Sequence, residues 1–241
     1  MISSFTRLVG LWALILLICL PATSQAWDGT WSRSEFRARW VNADSEGLSA
    51  DDLNRLFAYL ERDAETFKML ESLKRLTGKQ SAMELMALIR LCDEERGLLP
   101  PDRMGATDVT DDGVRTICMS RRLSMGDAIA TFVHELTHYI RIRSYCSKDP
   151  KKYVDSSRFA LETIQEPGDE VDAFLTEFSA RIRLEHSRTG VPYLYREMFS
   201  ESGQYEGTRE EFARLLLAIP GYANDFARRF SVCKAQLAKA P

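Results

Sequence analysis

Thr131-Phe132-Val133-His134-Glu135-Leu136-Thr137-His138-Tyr139-Ile140 is the stretch on which the reading of this chain turns. Two of the three histidines lie in it, at positions i and i+4. On a helix such positions stand one above the other, so both imidazoles project from one face. Two neutral ring nitrogens placed this way can bind a single Zn²⁺. Glu135 follows the first histidine, where it can act as general base on a water at that metal. Phe132, Val133, Leu136, Thr137, Tyr139 and Ile140 carry no charge. An exposed helix would show charges on its outer face, so this frame predicts a buried one.

Upstream, Ser124-Met125-Gly126-Asp127 has the form of a helix cap and predicts a motif helix running to about Arg143. Before it, 106–110 and 114–119 read as two extended segments, with Asp111-Asp112-Gly113 as the turn between them. Ser49-Ala50-Asp51-Asp52 is a capping signal, and Leu53, Leu56, Phe57 and Leu60 follow at helical spacing. Phe67, Leu70, Leu73 and Leu76 continue the pattern to a natural stop at Gly78. From Ser81 to Leu91 the chain reads as helical, although Ile89-Arg90-Leu91 fits either period. Residues 27–47 show no clear period and predict an irregular segment.

At the N-terminus, Arg7 is the one charged side chain before Asp28, and 8–20 is an apolar run too short for a typical membrane span. Small residues at Ser24 and Ala26 follow. The pattern is that of a signal peptide over 1–26, leaving one domain over 27–241 that is exported to a periplasm or secreted, with no stable membrane insertion afterwards. Four cysteines would remain: Cys92, Cys118, Cys146 and Cys233. An even number in an exported chain predicts two disulfides, and spacing leaves all three pairings open. None has the C-x₂₋₄-C spacing of a cysteine zinc site. The formal net charge is −3. With no polybasic run, nothing points to nucleic acid.

Downstream, 146–168 reads mostly as loop. A helix opens at Asp169 or Glu170, with Val171, Phe174, Phe178 and Ile182 on its apolar face. Residues 190–207 form a tyrosine-rich loop, Thr208 to Glu211 caps another helix, and a last helix covers about 224–238. The fold class is therefore α+β, predominantly helical, with a small sheet or hairpin ahead of the motif helix.

A catalytic zinc site takes three protein ligands and keeps one position open. A metzincin would need a glycine and a third histidine after His138, and this chain has Arg141 and Ser144 there. His186, late in its helix beside Arg188, reads as a solvated helix end. Carboxylates remain. Glu170 and Glu177 lie on nearly one helical face, with Glu162 upstream.

The uncharged frame around His134-Glu135-Leu136-Thr137-His138 resembles that of the zincin metallopeptidases. In their gluzincin branch the third ligand is a glutamate on a later helix, often written E-x-x-A with an acid at the third position. Glu170-Val171-Asp172-Ala173 matches that form with its acid, while Glu177-Phe178-Ser179-Ala180 has Ser179 there. The resemblance, which covers under a fifth of the chain, implies a zincin-like domain with His134, His138 and Glu170 as zinc ligands and Glu135 as general base. It implies hydrolysis of a peptide or protein substrate. It also likens 114–119 to the edge strand along which zincin substrates pair. An aspartate that orients a zinc histidine has no clear counterpart; Asp169 and Asp172 are the candidates. An oxyanion-stabilising tyrosine would come from Tyr193, Tyr195 or Tyr205. Two other readings stand beside this one: an exported zincin-fold protein that binds a partner without catalysis, and a protein that uses metal structurally. Substrate and oligomeric state are not written in these residues.

Overall fold

The computed structural model describes residues 33–42, 47–92, 104–109, 115–141, 146 and 148–239. The chain divides into residues 1–33 and residues 34–241, and the architecture below belongs to the second unit. The expected signal peptide over 1–26 and the Asp111-Asp112-Gly113 turn lie outside the described residues.

Helices dominate. After α1 (Arg33–Arg37) come α2 (Ala50–Leu60) and α3 (Ala64–Thr77). Ser49 and Asp52 form a reciprocal capping box that starts α2, and its apolar stripe Leu53, Leu56, Phe57 and Leu60 is buried. Asp63 ends the run and begins the next one, accepting a hydrogen bond from the Thr66 amide at 3.0 Å. Gly78, at φ 70°, closes α3 in the left-handed region. Leu70 and Leu73 are buried as expected. Phe67 and Leu76, expected on the same stripe, are exposed.

The stretch from Ser81 to Leu91 is not one helix. A single turn, α4 (Ala82–Leu85), gives way to strand β1 (Ile89–Cys92). β1 pairs in parallel with β3 (Arg115–Ser120), which pairs antiparallel with β2 (Gly105–Val109). The order is β1-β3-β2, so β3 is the central strand and not the expected edge. Ile117 and Met119 enter the main core, while Cys118 points to the other face beside Cys92. A disulfide joins these two cysteines.

The motif helix α5 (Met125–Arg141) packs on β2 and β3. Ser124 and Asp127 cap it. Of residues 128–139, all but His138 are buried. The segment expected as loop contains α6 (Ser156–Thr163), capped by Asp155. Next come α7 (Glu170–Glu185), the short α8 (Tyr193–Arg196), α9 (Arg209–Leu217) and α10 (Pro220–Lys239). A second disulfide ties Cys146 to Cys233 in α10.

Two apolar clusters result. One gathers α2, α3, the sheet and α5; the other gathers α6, α8, α9 and α10. α7 serves both, with Ala180 and Leu184 in the first and Val171, Phe178 and Ile182 in the second. Among the described residues, no helix is long and apolar enough to cross a membrane.

Candidate metal centre

The pairing of α5 with α7 builds the site. His134 and His138 leave α5 one turn apart, with their Nε2 atoms 3.2 Å from each other. Glu170, the first residue of α7, brings Oε2 to 3.3 Å from His134 Nε2 and 3.7 Å from His138 Nε2. All three side chains are largely withdrawn from solvent.

The tautomers follow from the partners on the far side of each ring. His134 Nδ1 lies 2.9 Å from Glu177 Oε2, and His138 Nδ1 lies 2.8 Å from the Gly168 carbonyl oxygen. A carboxylate and a carbonyl accept hydrogen bonds, so each Nδ1 carries the proton. Both Nε2 lone pairs then face each other and a carboxylate oxygen. Three electron-rich atoms at this separation repel one another unless a proton or a cation lies between them. Burial lowers the tendency of both histidines to charge, yet the nearby Glu170 carboxylate, with Glu177 added for His134, outweighs it and raises both pKa values, that of His134 well above the ordinary range. Burial likewise opposes ionisation of Glu170, and the two imidazoles overcome it and pull its carboxyl far down. Glu170 Oε2 is buried and accepts no hydrogen bond of good geometry.

His134, His138 and Glu170 together could hold a metal ion. The spacing suits a small tetrahedral ion: ligands at about 2.05 Å from such a centre stand about 3.3 Å apart. The donor set of two imidazoles and one carboxylate leaves one position open.

Glu135 is buried beside this centre. Thr107 on β2 holds it, with Oγ1 at 2.8 Å from Glu135 Oε2 and 2.9 Å from the Glu135 main-chain oxygen. The hydroxyl has one proton. When it donates to the main-chain oxygen, its own oxygen can accept from a protonated carboxyl. Burial pushes the Glu135 pKa up, against the pull of the two histidines and Thr107. Gly105 permits this approach: a Cβ there would lie 2.6 Å from Thr131 Cγ2 and 3.0 Å from Glu135 Cγ.

The structure thus gathers His134, Glu135, His138 and Glu170, and assigns Glu177 a different place, behind His134. Neither candidate aspartate touches a histidine. Asp172 accepts from Arg141 Nη1 and the Gly168 amide, and Asp169 accepts from Arg229 Nη1 and the Glu170 amide. Asp172 still acts at one remove, because the Gly168 it anchors supplies the carbonyl on His138. Tyr193 is exposed, Tyr195 is buried in the second cluster, and Tyr205 donates to the Thr208 carbonyl. The aromatic ring against the site is Phe174, edge-on to His134 with centroids 4.5 Å apart, with Tyr222 behind it. His186 caps the end of α7 and is exposed, as expected. Thr107, Gly105 and Gly168 escaped the sequence reading because no local pattern marks them.

No family model, curated protein or solved structure matches this chain.

Proposed function

We propose that the protein is an exported zinc-dependent metallopeptidase. The observation that carries this reading is the convergence of two imidazole lone pairs and a glutamate oxygen next to a buried, separately held carboxyl group. His134, His138 and Glu170 would hold the zinc ion, which supplies Lewis acidity at one open position. Glu135 takes a proton from the attacking water and returns it to the departing amine. Its raised pKa suits both halves of that task, since a group that is too acidic would not keep the proton. Thr107 keeps the carboxyl aimed during the exchange. Glu177 and the Gly168 carbonyl hold the two histidines as Nδ1–H tautomers.

An extended peptide would pair along β2 rather than β3. Among the described residues β2 is an outer strand of the sheet, and it carries Thr107, the partner of the general base. Two disulfides fit an oxidising compartment. A purely structural metal site would be closed by four protein ligands, and among the described residues this group has three. A non-catalytic partner-binding protein would have no need of Glu135 in its held position.

The test is Glu135→Gln. The variant should bind zinc as the wild type does and lose peptide hydrolysis by a factor of about 10²–10⁴, the range of general-base catalysis. Measured on a mixed peptide pool with metal content determined in parallel, equal turnover by both proteins would sink the mechanism.

A further inference from the structure

The first turn of α7 is crowded with acids. Asp169 caps it, Glu170 opens it, and Asp172 follows. Repulsion among buried carboxylates would spread this turn unless positive groups oppose it. The helix N-terminus contributes partial positive charge. Arg141 and Arg209 bind Asp172, at 3.1 and 2.5 Å. Arg229 binds Asp169 at 2.8 Å, with both side chains about 15% exposed.

Arg229 comes from α10, a helix that carries none of the donors. Asp169 uses its two oxygens differently: Oδ2 accepts from Arg229 Nη1 at 2.8 Å, and Oδ1 accepts from the Glu170 amide at 2.9 Å. Two hydrogen bonds in line therefore join α10 to the backbone of the glutamate that faces the histidines. One turn further along α10, on the same face, Cys233 is bonded to Cys146, which lies five residues beyond the end of α5. Arg229 and Cys233 thus fasten one helix to α7 and to the chain continuing from α5, the two helices that carry the donors.

We infer that α10 is a clasp on the metal centre: Arg229 and Asp169 are positioning residues for Glu170, and the Cys146–Cys233 disulfide keeps Arg229 in reach. This rests on the metal-site reading above. A ligand held in place beforehand loses less freedom on binding, so a loosened clasp weakens metal affinity without removing a donor. Outer partners of metal ligands are worth about 10- to 100-fold in affinity.

The experiment titrates the purified full chain with Zn²⁺ against a competing chelator and follows metal-free thermal unfolding in parallel. Asp169→Asn keeps a capping side chain and loses the charge pair. Arg229→Met keeps the apolar stem. Each should weaken Zn²⁺ binding by about tenfold, and Arg229→Lys should recover most of the loss. The double variant Cys146→Ser/Cys233→Ser should also bind Zn²⁺ more weakly, and adding Arg229→Met to it should cost less than in the wild type, because both act through one element. A merely structural ion pair would lower the metal-free midpoint and leave Zn²⁺ affinity within about twofold of wild type; that result in Asp169→Asn overturns the clasp, even where Arg229→Met does not fold. Failure of the wild type itself to bind Zn²⁺ overturns the metal centre, and the clasp with it.

Discussion

Glu170 and Glu177 lie on one helix, and the nitrogen each meets separates their roles. Glu170 faces both Nε2 atoms, while Glu177 faces the Nδ1 atom behind His134. Glu170→Ala removes a donor and should abolish most Zn²⁺ binding. Glu177→Gln keeps an acceptor for the Nδ1–H and loses the charge behind the ring. It should weaken binding by about tenfold, the usual worth of a group behind a metal histidine. Chelator-competition titrations of both variants check the order, and a greater loss in Glu177→Gln than in Glu170→Ala would exchange the two assignments. Much of this site was legible in the chain because i, i+4 histidines need no knowledge of the fold. The E-x-x-A match pointed to Glu170 through resemblance alone. The groups that aim the site were not legible, since Glu177, Thr107 and Gly168 meet the motif helix across sequence separations of 43, 28 and 30 residues. Gly105 is a further case. Its missing Cβ matters only because β2 runs against Thr131 and Glu135.

At the scale of elements, α2, α5, α7 and α9 were legible from a capping signal and an apolar stripe, α3 as a continuation of the α2 stripe, and α10 as the last helix. The strand at 89–92 was decided by a distant partner. Ser81 and Glu84 form a capping box that starts a single helical turn, α4. Ile89 instead pairs with Ile117, and that pairing makes 89–92 a strand. The same pairing gives β3 two neighbours and leaves the outer position to β2. Asp63 shows how one residue can serve two elements. It caps α3 and binds Arg183 of α7 through both carboxylate oxygens, at 2.6 and 2.9 Å, with only 10% of its side chain exposed. Burial raises its pKa, but the Arg183 guanidinium and the Thr66 hydrogen bond outweigh that and hold it below the ordinary aspartate value. Its folded pKa is thus depressed, so the stabilisation is complete above the unfolded value and is lost as pH falls through the folded one. Asp63→Asn retains a cap and loses the pair. It should cost about 2 kcal/mol at pH 7, between an exposed and a buried pair. Urea unfolding at pH 7 and at pH 3 checks this: the gap between the two proteins should narrow at the lower pH, and a constant gap would mean that the charge plays no part.

At the scale of the molecule, the donors come from two helices rooted in different surroundings. His134 and His138 stand on α5, whose buried face belongs to the first apolar cluster, and Glu170 begins α7, whose early residues belong to the second. A metal ion held by all three would cross-link the clusters, so its binding free energy adds to global stability and is not confined to a loop. Anything that binds the folded chain alone stabilises it by mass action, by about 4 kcal/mol at a free concentration a thousandfold above Kd. For a domain of this size, each kcal/mol moves the midpoint by about 2–4 °C, so Zn²⁺ should raise Tm by roughly 10 °C under those conditions. Because the site joins the clusters, the whole transition should move as one, with helical signal and aromatic signal shifting together. Glu135→Gln should show the full shift, since that residue is not a donor, and Glu170→Ala should show little of it. A wild-type midpoint that is indifferent to Zn²⁺ would remove the metal from this molecule. A shift confined to the aromatic signal would mean that the ion orders the site without tying the two clusters together.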